Sequence, residues 1–208
     1  MQITLEHPHN LAEPGPEEIG GTGNYSLVIA GPDGRAAALL YFLDTGSYSE
    51  VEHIPGYNWV QRDQISWLTR ESARLNPQAS SAKLPALAFF HIPLPEYQEM
   101  WDTQICRGQK FERVCSPVIN SGLFAALLEM EDVRGTFCGH DHVNDYTGSL
   151  HGIRLCYGRA TGYNTYGREG FMRGARVIRM TLGSQDFNTW LRLEDGSATM
   201  EQPVHEPV

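Results

Sequence analysis

The sequence predicts an α/β fold, a layered sheet-and-helix domain, and three observations support that class. Apolar runs of strand length alternate with two segments of helical periodicity in the first part of the chain. Clusters of Pro, Gly, Asn and Asp separate these segments and are typical of turns. The later part of the chain contains pairs of short alternating runs, which predict antiparallel strands.

Composition divides the 208 residues into three parts. Residues 1–23 contain three prolines and a Gly-rich stretch without periodicity, which predicts an irregular segment. Residues 24–195 carry all the periodic segments and are predicted to form one folded domain. Residues 196–208 are polar and contain proline, so they are expected to form a flexible tail.

The first predicted elements are a hairpin, a helix and a buried strand. The apolar runs 25–30 and 37–43 flank the turn sequence PDGR, which predicts two antiparallel strands. Apolar residues recur at helical spacing from about 61 to 75, and NPQASS then predicts the end of that helix and a linker. The continuous apolar run LPALAFFH is typical of a strand buried on both faces, and it ends at His91.

The later elements follow a polar segment that extends to about residue 118. SGLFAALLEME predicts a helix of about three turns, and VRGTFCG predicts the next strand. Two short strands are predicted around a turn at His151 and Gly152. ARVIRMTLG and TWLRLED alternate like a terminal antiparallel pair.

Composition also excludes several classes of protein. No apolar run approaches the ~20 residues of a membrane helix, and the amino terminus lacks the basic start and apolar core of a secretory signal. A soluble protein without a membrane partner is therefore expected. The net charge of −9 argues against nucleic-acid binding, which depends on clustered Lys and Arg. The four cysteines form no CxxC pair and are expected to be mostly free thiols, with Cys106–Cys115 as the one candidate disulfide.

Histidines follow two predicted strands. His91 ends LPALAFFH, whereas His140 and His142 follow VRGTFCG. Functional groups of open α/β sheets collect outside the carboxyl ends of strands, and imidazole is a common ligand of transition metals. Two interpretations stay open on the residues alone: a metal site shared by the three rings, or loop histidines that bind water or a carboxylate.

The segments around these histidines resemble a known family. GHDHVNDYTG is similar to the closing GHxH motif of calcineurin-like metallophosphoesterases, and FFHIPLPEY is similar to the single-histidine motif of their purple-acid-phosphatase-related branch. NYSLVIAGPDG, CSPVINSGLFAALLE and LCYGRATGYNTYGR extend the resemblance over about residues 24–193. The resemblance implies the second half of an αββα sandwich and a hydrolase that acts on small phosphate esters.

The resemblance also implies a set of site residues. His91 and His140 would bind one metal ion and His142 its neighbour, and the three would serve the hydrolysis together. The metal would be zinc, iron or manganese, since histidine accepts all three. Four nearby polar residues are candidates for orienting the rings, with turn or surface roles as the stronger alternative: Glu96, Asp141, Asn144 and Asp145.

The chain departs from the family pattern in one large respect. Family members carry Asp-x-His, Gly-Asp-x-x-Asp and Gly-Asn-His segments in an amino-terminal half, and this chain has none of them. Without the bridging aspartate, two cations about 3.5 Å apart would repel each other, so one ion is expected here and two in full-length relatives. Without the first sheet, the inner face of the second lacks its apolar cover, which predicts a homo-oligomer formed through that face.

Three functional hypotheses follow. The leading one is a metal-dependent phosphoesterase, with an activity reduced by the missing ligands. The second is a non-catalytic remnant of a phosphoesterase that binds metal or associates with itself. The third is a half-domain whose dinuclear site is completed by a separate chain that carries the missing aspartates.

Overall fold

Strands and helices follow one another in the computed structural model, which describes residues 6–76 and 83–207. The strands are β1 (Tyr25–Ala30), β2 (Ala36–Phe42), β3 (Ala86–Phe89), β4 (Cys106–Arg107), β5 (Val133–Cys138), β6 (Thr147–Leu150), β7 (Ile153–Tyr157), β8 (Gly174–Met180), β9 (Phe187–Leu193), β10 (Ala198–Thr199) and β11 (Val204–His205). The helices are α1 (Arg62–Leu75), α2 (Glu96–Thr103) and α3 (Leu123–Met130). Within the described ranges, no helix is long and apolar enough to cross a membrane.

Most strands form one eight-stranded sheet in the order β1-β2-β3-β5-β7-β6-β4-β11. Its centre is parallel, because β3 pairs in parallel with both β2 and β5, and β5 pairs in parallel with β7. The outer pairings are antiparallel, including the predicted β1–β2 hairpin. β8, β9 and β10 form a second, antiparallel sheet. This layered α/β architecture confirms the predicted fold class.

Helix α1 packs on one face of the large sheet and confirms the helix predicted at about 61–75. The Gln64 side chain accepts a hydrogen bond from the Gln61 backbone N–H at 2.6 Å, which caps the first turn. Near the end of the helix, the Ser72 hydroxyl donates to the buried Asp132 carboxylate at 2.6 Å. Tyr41 of β2 donates to the same oxygen at 2.7 Å. These bonds join α1 to the large sheet through one buried carboxylate.

The second sheet covers part of the opposite face of the large sheet. Phe187 of β9 packs with Leu87, Phe137 and Cys156 in a small buried core. Gly135 of β5 lies directly below it, since a Cβ there would stand 2.5 Å from the Phe187 ring. The two sheets can approach this closely because position 135 has no side chain.

An aromatic row crosses this same face on β1, β2, β3 and β5, and consists of Tyr25, Phe42, Phe89 and Phe137. Ring centroids are 4.5 Å apart for Tyr25–Phe42 and 5.1 Å for the next two pairs. Phe137 is buried beneath the second sheet, whereas the other three rings are partly exposed. Ile29, on the same face of β1, is 40% exposed. Within residues 6–76 and 83–207, part of this apolar face is therefore exposed to solvent.

The helices differ from prediction in two places. Helix α2 was missed, since Pro95 precedes it and prolines suggest a loop, although the first turn of a helix tolerates one. The helix buries Tyr97 and Met100 against the core. Helix α3 spans 8 residues, about two turns, because Gly122 before it and Glu131 after it take left-handed conformations with φ of 79° and 58°.

The carboxyl-terminal residues differ from the flexible tail that their composition predicts. β10 pairs with β9, and β11 pairs with β4 at the edge of the large sheet. The His205 ring stacks on Trp101 with centroids 3.7 Å apart, and its Nε2 lies 2.8 Å from the Trp101 carbonyl oxygen. A long-range aromatic contact therefore holds a segment whose local sequence has no helical or strand periodicity.

The remaining predictions concern the amino-terminal segment, the linker after α1 and the cysteines. Residues 6–23 contain neither, and the first five residues lie outside the described part of the chain. The linker predicted after α1 lies largely in 77–82, which is also outside it. All four cysteines carry free thiols, so Cys106 and Cys115 form no disulfide.

The close approach of the two sheets can be tested with Gly135→Ala. The added methyl group would collide with Phe187 and push β9 outward, which should lower the free energy of unfolding by about 1–3 kcal/mol. Gly162→Ala is the matched control, because no atom lies within 4 Å of its Cβ position. Urea unfolding monitored by circular dichroism measures both. Equal stability of the two variants would contradict the packing described.

Candidate metal centre

The candidate centre lies where β3 and β5 end side by side. Phe89 is opposite Phe137 in this parallel pair. The pairing continues beyond the strands, because the Phe90 N–H donates to the Phe137 carbonyl at 3.0 Å and the Gly139 N–H donates to the His91 carbonyl at 3.1 Å. The residues that follow the two strands are therefore held at the same edge of the sheet, as the sequence predicted for His91 and the GHDH segment.

The structure brings the rings of His91 and His140, the histidine pair, into contact. His140 Nδ1 lies 3.2 Å from His91 Nε2, and the ring planes are 89° apart. Gly139 lies against the His91 ring, since a Cβ at position 139 would stand 3.4 Å from His91 Nδ1. His140 itself has a φ of 71°, a left-handed conformation that is uncommon for a residue with a side chain. Tyr57 packs edge-on against His140, with centroids 4.3 Å apart.

The environment lowers the pKa of both rings of the histidine pair, which favours their neutral form. Partial burial lowers the pKa of His91, and the nearby His140 and His142 lower it further. Burial also lowers the pKa of His140, an effect that the Asp141 carboxylate opposes. Neutral imidazole has a free ring nitrogen, which is the form that binds a metal ion.

His142 does not join the pair but lies beside it. Its ring stacks on Tyr166 with centroids 4.2 Å apart, and its Nδ1 lies 2.5 Å from the Thr165 hydroxyl. It lies close enough to the pair to contribute to the lowered pKa of both rings. Among the residues that the structure describes, no group of three His, Cys, Asp or Glu side chains is arranged to hold a metal ion.

The spacing of the histidine pair suits two positions on one ion. Zinc–nitrogen bonds of about 2.0–2.1 Å at a tetrahedral angle place two ligand nitrogens roughly 3.3 Å apart. The observed separation of His140 Nδ1 and His91 Nε2 is 3.2 Å. A hydrogen bond between the two rings has the same length, so the assignment of His91, His140 and His142 as metal ligands stays a prediction.

Asp141 faces the interior rather than the rings. Its side chain is 3% exposed and accepts a hydrogen bond from the Tyr157 hydroxyl at 2.6 Å. The Cys115 backbone N–H donates to the same carboxylate oxygen at 3.1 Å. These bonds anchor the turn between the two histidines of GHDH to β7 and to the loop that contains Cys115.

Asn144 and Asp145 are fully buried and bind the same loop from below. The Asn144 side-chain oxygen accepts hydrogen bonds from the backbone N–H groups of Phe111 and Glu112. Asp145 accepts a hydrogen bond from the Gln109 backbone N–H at 2.7 Å and another from the Arg159 guanidinium at 2.5 Å. None of their hydrogen bonds reaches a histidine ring, and their role in orienting the rings stays a prediction.

Glu96 lies at the start of α2. Its Oε1 accepts a hydrogen bond from the Asn120 side chain at 2.7 Å, and its Oε2 is buried with no partner among the described residues. The role of Glu96 beside the histidines stays a prediction.

Sequence reasoning missed the residues that surround the rings. Tyr57, Thr165 and Tyr166 come from loops far from the histidines along the chain. Tyr166 also donates its hydroxyl to both carboxylate oxygens of Glu112, at 3.0 and 2.9 Å. Tyrosines and threonines in loops have no periodic pattern, and the similarity of LCYGRATGYNTYGR to the family was the signal for the loop of Thr165 and Tyr166.

Comparison with known proteins agrees with the layered α/β fold. The chain is 39% identical over 221 residues to Probable inactive purple acid phosphatase 29 of Arabidopsis thaliana, covering 94% of this chain and 56% of that protein. It is 38% identical to Probable inactive purple acid phosphatase 14 of the same plant, covering 94% and 55%. It is 33% identical to Phosphatase DCR2 of Saccharomyces cerevisiae, covering 83% and 32%. No protein-family model matches the sequence.

The layered fold and these relatives define the chain as a phosphoesterase-type α/β domain. Within that class, it belongs to the purple-acid-phosphatase-related phosphoesterases, which confirms the resemblance seen in its motifs. The chain spans about half the length of the two plant relatives. Its extent is consistent with a carboxyl-terminal portion of such a phosphoesterase.

The anchoring of Asp141 can be tested with Tyr157→Phe. Loss of the hydroxyl leaves a buried carboxylate with one donor fewer, and the free energy of unfolding should fall by about 1–3 kcal/mol. Tyr48→Phe is the control, because Tyr48 is 68% exposed and its hydroxyl makes no hydrogen bond among the described residues. Urea unfolding of both variants decides the question, and a Tyr157→Phe variant as stable as wild type would refute the anchoring role.

Proposed function

We propose that this chain is a metal-dependent phosphoesterase domain that hydrolyses small phosphate esters. The observation that carries the proposal is the contact between His91 and His140 at the ends of two parallel strands. The membership of the chain in a phosphoesterase family supports the reaction class. One ion of zinc, iron or manganese is the expected cofactor, held by the histidine pair.

The residues of the chain have separate tasks in this proposal. His91 Nε2 and His140 Nδ1 supply two neutral nitrogen ligands, and Tyr57 fixes the His140 ring from its edge. A metal ion bound there would polarise a phosphoryl oxygen and lower the pKa of a coordinated water. It would also attract an anionic substrate to a chain whose net charge of −9 repels phosphate.

Activity can be measured as metal-stimulated release of phosphate from an aryl phosphate. His140→Ala removes one of the two ligands and should lower the metal-stimulated rate at least about tenfold. His9→Ala, a change at an exposed histidine of the amino-terminal segment, should match wild type. No metal-stimulated release by wild type, or equal rates for His140→Ala and wild type, would refute the proposal.

A second candidate function is a non-catalytic metal-binding domain. The names of the two plant relatives favour it, because both are called probable inactive purple acid phosphatases. Calorimetric titration with zinc separates the two functions. Binding that is lost in both His91→Ala and His140→Ala, without turnover by wild type, would support this second candidate and exclude the first.

We also propose that two copies of the chain associate through the uncovered part of the aromatic row. Tyr25, Phe42 and Phe89 are partly exposed there, and Ile29 extends the apolar surface along β1. The inward positions of β1, β2 and β3 on this face carry no charged side chain. An apolar surface without charges is complementary to itself, and a second copy would remove it from water.

Light scattering at micromolar concentration tests this association. Wild type should have twice the mass of the chain, and Phe42→Arg should be monomeric because it places a charge at the centre of the row. Tyr163→Arg, at a side chain that is 76% exposed in a loop, should stay dimeric. A monomeric wild type would contradict the proposal.

A further inference from the structure

The His142 ring is held on two sides by one loop. Its Nδ1 lies 2.5 Å from the Thr165 hydroxyl, and its face stacks on Tyr166 with an interplanar angle of 22°. Its Nε2 makes no hydrogen bond to any residue in the described part of the chain. The ring is therefore fixed in orientation with one nitrogen engaged and the other free.

The backbone of His142 is fixed by the same loop. Its N–H donates to the Tyr166 hydroxyl at 3.1 Å, and that hydroxyl donates to Glu112. The next backbone N–H, of Val143, donates to Glu112 at 2.9 Å. The side chain and the backbone of His142 thus share one network, which limits rotation of the ring.

Arg173 fixes the loop itself. Its Nη2 donates to the carbonyl oxygens of Thr165 and Tyr166 at 2.8 and 3.0 Å. A Cβ at Gly167 would stand 2.8 Å from this nitrogen, so the loop wraps closely around the guanidinium. The position of the Thr165 hydroxyl is consequently set by a charged side chain and not by Thr165 alone.

We propose that Thr165 is a positioning residue that accepts the Nδ1–H of His142 and leaves His142 Nε2 free to bind a metal ion. A hydrogen bond at one imidazole nitrogen decides which nitrogen carries the proton and which carries the lone pair. This inference rests on the proposed metal-dependent function. It states which ring nitrogen of His142 carries the proton before a metal ion binds. His142 then belongs to the site through Nε2, beside the histidine pair.

The tautomer of His142 can be observed directly in metal-free protein. Long-range ¹H–¹⁵N NMR of the His142 ring should show the Nδ1–H tautomer in wild type and in Thr165→Ser, which keeps the hydroxyl. Thr165→Val, which has nearly the same shape without the hydroxyl, should shift the ring toward the Nε2–H tautomer. Thr161→Val is the matched control, because the Thr161 hydroxyl donates to the Gly174 carbonyl in the same region and does not contact His142.

Metal binding provides the second measurement. Thr165→Val should weaken zinc binding in calorimetry about 10- to 100-fold and change the absorption spectrum of the cobalt-substituted protein, and Thr165→Ser should restore both. An Nε2–H tautomer in wild type would overturn the inference without any variant. Unchanged tautomer and unchanged zinc affinity in Thr165→Val would also overturn it, while the proposed metal site would stand. The expected tautomers without zinc binding in any variant would support the role of Thr165 in holding the ring and refute the metal-dependent function.

Discussion

Parallel pairing of β3 with β5 is the constraint on which the candidate site depends. Phe89 stands opposite Phe137, and two further backbone hydrogen bonds extend the pairing to His91 and Gly139. A shift of this register by one residue would turn every side chain of the strand to the other face and separate the two rings. The 3.2 Å contact between His91 and His140 is therefore a consequence of strand register, and the left-handed turn at His140 completes it.

The acidic residues of GHDHVND support the histidines from beneath. Burial of a carboxylate is costly unless it is paired, and Asp141 and Asp145 are both buried and both bonded. They face the interior, whereas the rings of His140 and His142 lie at the surface side of the same turn. The segment thus has two physical roles. The buried Asp141 and Asp145 hold the turn in place, and the turn positions the rings of His140 and His142. This division explains why the acids make no hydrogen bond to the rings.

Sequence predicted those parts of the fold whose signal is local. The β1–β2 hairpin, α1 and the strands β3 and β5 to β9 follow from apolar periodicity and turn residues, and the strand-end positions of His91, His140 and His142 follow from them. β4 and β11 have two residues each and exist because they pair across the chain, so no local pattern could reveal them. The same reason hides Tyr57 and Thr165, whose contacts with the histidines join loops from distant parts of the sequence.

The uncovered aromatic row and the histidine pair adjoin each other, because His91 follows β3 and His140 follows β5. Phe89, the last residue of β3, precedes His91 by two residues, and both line one cleft together with Phe42 and Tyr25. A second copy packed on the aromatic row would lie next to this cleft. It would exclude water from the part of the cleft that His91 lines. Electrostatic interactions strengthen where water is excluded, so the proposed association would change the affinity of the proposed metal site for a cation. By linkage, a bound cation would change the association by the same factor, and the oligomeric state and the metal content of this chain would then vary together.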